Sequence, residues 1–143
     1  MTADTPTLTV EREIEATAEE LFDAWLDPES LAVWMRPGDI PRTDATVDAR
    51  VGGTFKIVMH GSEKDYVHTG TYRRIDRPKK LVFTWVSEAT YQRETLVTVV
   101  FQRTGKKTKV ILTHEQLPDE AAANSHRGGW TSAIEKLAES KNG

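Results

Sequence analysis

"SHRGGWTSAIEKLAES", residues 125–140, decides how the rest of the chain is read. His126, Gly129, Trp130, Ala133, Ile134 and Leu137 recur at helical spacing and share one stripe. The pattern predicts a long helix over about 119–140. Two adjacent glycines sit inside it, and glycine in a helix interior costs about 1 kcal/mol relative to alanine. Gly129 lies on the stripe, so the expectation is that it lets the helix backbone approach a curved sheet or a small helix closely. Gly128 is one position off the stripe and is read as facing a neighbouring helix. Trp130 then projects between helix and sheet, either as plain core filler or as the wall of a cavity.

A helix with one apolar stripe needs a partner layer, and the preceding sequence supplies strands. "TFKIVMH" (54–60) sets Phe55, Ile57 and Met59 on one face; "KLVFTWVS" (80–87) does the same with Leu81, Phe83 and Trp85. "TLVTVVFQR" (95–103) aligns Val97, Val99 and Phe101, and "TKVILTHE" (108–115) aligns Val110, Leu112 and His114. "YVHTGTYRRI" (66–75) reads as a strand whose Gly70 marks a bulge or a close approach. A first strand is expected over 7–15 and a weak one over 45–49. Turns fall at 51–53, 61–65 and 76–78. Between the first two strands lie two short helices. One spans 18–26, with Thr17 and Glu20 at capping-box spacing; the other starts at Asp27-Pro28 and stops before Pro37-Gly38. The order is β-α-α-β6-α, an α+β fold. A curved antiparallel sheet of about seven strands wraps around the long C-terminal helix, which alone is expected to cover its apolar side.

Bulk properties narrow the function classes. A length of 143 residues is that of a single domain, residues 1–143. The absence of cysteine removes disulfides, thiolate metal sites and a cysteine nucleophile, and suits a reducing compartment. "MTADTPTLTV" (1–10) lacks the features of a signal peptide, and no apolar run approaches the ~20 residues of a membrane span. A soluble, cytoplasmic protein is expected. Lys plus Arg number 19 against 22 Asp plus Glu, a net charge of −3, so no nucleic-acid partner is expected. The basic runs "RRIDRPKK" (73–80) and "GKKTK" (105–109) read as solvated hairpin ends. The second lacks the upstream glycine of a phosphate-binding loop.

A curled sheet cannot be filled solidly by one helix near its open end. The expected ligand-binding set is therefore Trp34, Phe55, Ile57, Met59, Tyr72, Phe83, Trp85, Val99, Phe101, Leu112, His114, His126, Trp130 and Ile134. Tyr72, His114 and His126 are its polar candidates, with Thr95 as a further one. No "GxSxG", "HExxH" or EF-hand pattern occurs. His60 and His68 flank one hairpin without a third ligand, so no metal is expected, and no cofactor either. His114 is the one candidate for a catalytic base, with Tyr72 or His126 beside it; a hydrogen-bonded core histidine is the plainer reading.

"HTGTYRRIDRPKKLVFTW" (68–85), "TLVTVVFQRTGKKTKVILTHEQLP" (95–118) and "HRGGWTSAIEKLAE" (126–139) together resemble a bacterial family. Its proteins are similar to the C-terminal domain of the activator of heat-shock protein 90 ATPase, within the START/polyketide-cyclase/Bet v 1-like (SRPBCC) superfamily. "VEREIEATAEELFDAWLDPESLAVWM" (10–35) resembles the start of the same family. The resemblance implies the helix-grip fold and a hydrophobic cavity between the long helix and the sheet. By position, Gly129 and Trp130 fall on the family's helix signature, Phe83 and Trp85 on a cavity-lining strand, and His114 near a strand end. Three functions stay open: a receptor for a small apolar or aromatic molecule, an ATPase activator with a chaperone partner, and a cavity enzyme of the cyclase or hydrolase type. An exposed strand edge and the short helix pair leave a homodimer open as well.

Overall fold

The computed structural model describes residues 5–142. Residues 1–4 of the decapeptide read for a signal sequence, and Gly143, lie outside that span. The elements are β1 (Leu8–Ile14), α1 (Ala18–Ala24), α2 (Pro28–Trp34), β2 (Arg42–Val47), β3 (Thr54–His60), β4 (Asp65–Asp76) and β5 (Lys80–Trp85). A single 3-10 turn, Glu88–Thr90, precedes β6 (Thr95–Thr104), β7 (Lys107–Glu115) and α3 (Glu120–Asn142). All seven strands join one antiparallel sheet in the order β1-β7-β6-β5-β4-β3-β2. With α3 against its inner face, this is the expected α+β helix-grip arrangement.

Local chemistry starts each helix where the sequence predicts. The Thr17 hydroxyl accepts from the Glu20 amide at 3.1 Å, and Asp27 caps α2 through the Glu29 amide at 3.3 Å. Asp119 caps α3 by accepting from the Ala122 amide at 2.8 Å. Gly70 is a close approach, as its place in β4 suggests. A Cβ there would stand 2.0 Å from the Thr84 carbonyl oxygen and 2.4 Å from the Phe55 ring. The pairing of β4 with β5 is irregular on both sides of this crease.

Two expectations are corrected. The weak strand forms at Arg42–Val47 rather than at 45–49. Its inward positions are Thr43, whose hydroxyl donates to the Met35 carbonyl at 2.8 Å, and then the half-buried Ala45 and Val47, so its start carries no apolar signal. Nor does α3 cover the apolar face alone. Phe22 of α1 meets Phe101 of β6 edge-on at 5.3 Å, and α2 packs on β2. Between these helices and the sheet, Trp25 lies within 4.6–6.5 Å of the rings of Trp34, Trp130, Phe83 and Phe101. Burying such a side chain contributes about 1.5–3 kcal/mol. It also plugs one end of the half-barrel, so any hollow is confined to the other.

Candidate functional site

That other end holds a cavity of about 320 Å³. One wall is α3, with Ser125, His126, Gly129, Trp130 and Ala133. The strand ends supply Met59, Tyr66, His68 and Trp85; Ala89 comes from the 3-10 turn. The remaining wall is the segment after α2, with Met35, Pro37 and Ile40. That segment is tied to α3 through polar bonds: the Gly38 amide donates to Ser132 Oγ at 2.8 Å, and Lys136 Nζ donates to the Gly38 carbonyl at 2.8 Å and to the Arg36 carbonyl.

The two glycines take their meaning here. A Cβ at Gly129 would meet only Pro37 Cβ, at 4.0 Å, and one at Gly128 would meet nothing within 4 Å. The expected close approach at Gly129, and the expected neighbour at Gly128, are both absent. Gly129 faces the cavity, and its missing side chain widens it; Gly128 faces outward and is exposed.

The polar groups behind the wall form one chain. The Thr95 hydroxyl donates to the Trp85 carbonyl at 2.6 Å. The Trp130 indole N–H can only donate, and it does so to His114 Nδ1 at 3.1 Å. The His114 proton therefore sits on Nε2, which donates to Thr95 Oγ1 at 2.7 Å. Burial, reinforced by nearby His126, pushes His114 down to about 3. It is neutral with both ring nitrogens committed, so no lone pair is free for base catalysis. The two bonds tie Trp130 of α3 to β7 and β6 behind the cavity wall.

His126 is wired differently. Its Nδ1 donates to the Ala122 carbonyl one turn back at 2.7 Å, and its ring stands edge-on to His114 at 4.8 Å. Burial lowers its pKa, only partly offset by the Ala122 bond. Nε2 of His126 has no hydrogen-bond partner among the described residues, yet it is not sealed off. His68 stacks on Trp85 at 4.8 Å, and burial pushes it down to about 4. Its Nδ1 and the Trp85 Nε1 are buried without partners among the described residues. No lysine, arginine, aspartate or glutamate lines the cavity.

Of the residues expected to bind a ligand, Met59, Trp85, His126 and Trp130 line this cavity. Phe55, Ile57, Tyr72 and Phe83 instead surround, with Trp25, a void of about 10 Å³, hardly room for one water. Trp34, Val99, Phe101, Leu112 and Ile134 are buried in packed core. Sequence reasoning missed Met35, Pro37, Ile40, Tyr66, His68 and Ala89. His68 and Tyr66 continue the inward alternation of Tyr72 and Gly70, which could have found them. Among the described residues no cluster of three or more histidine, aspartate or glutamate side chains is arranged to hold a metal. No described helix is long and apolar enough to cross a membrane. A larger recess of about 600 Å³ lies on the outward face of β3–β5, but threonines, Asp48, Lys56 and Glu94 dominate its lining.

Comparison with known proteins follows the same lines. The family model described as "Activator of Hsp90 ATPase homolog 1-like protein" matches residues 15–140. A solved protein from Chromobacterium violaceum superposes with a TM-score of 0.81 at 21% identity, covering 96% of this chain and 99% of that one. An AHSA1-like protein from Aeromonas hydrophila gives 0.77 at 25% identity, with 94% and 90% covered. An HSP90 activator from Plasmodium falciparum gives 0.74 at 23% identity, with 92% of each chain covered. At such identities the likeness is one of fold. No protein among the curated ones matches the sequence.

Proposed function

The chain belongs to the activator of Hsp90 ATPase homolog 1-like family, and from that premise we propose that it is a receptor for a small apolar or aromatic molecule held beneath α3. The carrying observation is the cavity of about 320 Å³ beside Gly129, walled by Met35, Met59, Trp85 and Trp130. Ligand sites are typically ~300–1,000 Å³, mostly apolar, with a few polar groups that orient the guest. Here His68 and His126 are those groups. At interior packing density, about 0.74, the space takes a guest of up to roughly 240 Å³ van der Waals volume, room for two or three fused rings with substituents. We place this activity in the cytoplasm, a setting that suits a chain without cysteine.

The test is a panel of one- to three-ring aromatics read by thermal shift and tryptophan emission. A guest at 100 times its Kd stabilises by about 2.7 kcal/mol. With an unfolding entropy of about 2.1 cal/mol/K per residue, that raises Tm by about 9 °C. A panel that neither binds nor shifts Tm removes the receptor reading.

A second reading, activation of an Hsp90 ATPase, has the family description and the Plasmodium activator in its favour. Saturating amounts of the full chain should then stimulate ATP hydrolysis by a bacterial Hsp90. An unchanged rate counts against it.

A further inference from the structure

We propose that the guest is an uncharged aromatic bearing a hydroxyl group, a phenol or an enol, and that its O–H is donated to Nε2 of His126. The inference rests on the receptor reading above and specifies its ligand. His126 Nδ1 is bound to the Ala122 carbonyl at 2.7 Å, and a carbonyl only accepts. The single proton of the neutral ring is therefore on Nδ1, and Nε2 presents a lone pair. That lone pair calls for a donor, and no donor in the walls is bonded to it: neither the Ser125 hydroxyl nor the unpartnered Trp85 indole N–H makes a hydrogen bond to His126. The Trp130 indole is committed to His114 at 3.1 Å. The Tyr66 hydroxyl makes no hydrogen bond to His126.

The rest of the cavity sets the guest's shape and charge. Trp85 and Trp130 stand 4.9 Å apart at 51°, and His68 stacks on the first of them, so the wall is built of ring faces. With no acidic or basic side chain in the lining besides the two histidines, an ionised guest would lose its hydration without a counter-charge. Burial disfavours protonation of His126 and His68, so neither supplies that charge readily.

The experiment is calorimetric titration of the full chain with naphthalene, 2-naphthol, 2-methoxynaphthalene and 2-naphthoate. The ether keeps the ring system and the oxygen but carries a methyl in place of the proton, so it cannot donate; the phenol-to-ether ratio in His126→Phe separates that loss from the added bulk. Expected is 2-naphthol binding about tenfold tighter than its ether, with 2-naphthoate weakest. In His126→Phe the phenol-to-ether ratio falls to about one. Should that variant not fold, long-range ¹H–¹⁵N spectra of the wild type give a second readout. The His126 Nε2 resonance should move upfield with 2-naphthol and stay in place with the ether. Equal affinities for phenol and ether, tightest binding of 2-naphthoate, or an Nε2 resonance indifferent to 2-naphthol each overturn the inference while leaving a receptor standing. If none of the four binds, the receptor reading falls first.

Discussion

Replacing three glycines by alanine one at a time separates an open cavity from a close-packed contact. At Gly129 the added methyl would find only Pro37 Cβ at 4.0 Å, ordinary van der Waals contact, and at Gly128 it would find open space. Neither backbone carries the positive φ that strains an L side chain. Each change should therefore gain the helix-propensity difference, about 1 kcal/mol. Over 143 residues the unfolding entropy is about 0.3 kcal/mol/K, so each should raise Tm by about 3 °C. Gly70→Ala is the opposite case. Its methyl would lie 2.0 Å from a backbone carbonyl, which cannot rotate away, and 2.4 Å from Phe55. A loss of about 3 kcal/mol or more is expected, a fall in Tm of about 10 °C. Differential scanning calorimetry of the three variants is the assay. If Gly129→Ala lowered Tm while Gly128→Ala raised it, α3 would be pressed against a wall at 129, and the cavity would not open there.

Two further outcomes follow from the buried histidines. His68 and His114 are held near 4 and 3 by burial, below the unfolded value of about 6.5. Below pH 6.5 the unfolded chain takes up protons that the native state refuses, so stability falls as pH falls. By pH 5 each should have lost about 2 kcal/mol. Half-buried His60, raised by hydrogen bonds to Asp44 and Asp65, runs the other way: its support is full below about 6.5 and fades as pH rises through its raised value. Solvent reaches that group and its exposed carboxylate partners and screens them, so the buried pair should dominate urea titrations at pH 7.5 and 5.0. Equal midpoints and slopes at the two values would contradict neutral burial. Trp130→Phe removes the donor to His114 Nδ1 and should cost about 1–3 kcal/mol for the acceptor left unpaired; a loss under 0.5 kcal/mol would show that the bond fixes nothing.

The fold was legible wherever one face of an element is apolar. β3, β5, β6 and β7 announce themselves through Phe55, Trp85, Val97 and Leu112, and α3 through its stripe from His126 to Leu137. β2 was legible only in part: Ala45 and Val47 mark a weak strand, but its start was hidden because inward Thr43 is satisfied by a hydrogen bond rather than by apolar packing. In the site, Met59, Trp85, His126 and Trp130 could be named from periodicity. The wall formed by Met35, Pro37 and Ile40 could not. It is positioned by Ser132 and Lys136, roughly a hundred residues along the chain. The sequence also does not say which interior aromatic fills which end of the half-barrel. Trp25, the C-cap of α1, takes the end where a hollow was expected around Tyr72 and Phe83. His114 reads as a buried polar residue, but its partners come from β6 and α3, and only the assembled fold shows that both nitrogens are occupied.

The most direct measurement is nuclear Overhauser contact between naphthalene and a methyl-labelled chain. Saturable contacts are expected to the methyls of Met35, Met59 and Ala133, all of which line the cavity. Contacts confined to other methyls, or no saturable binding at all, would contradict a guest held there.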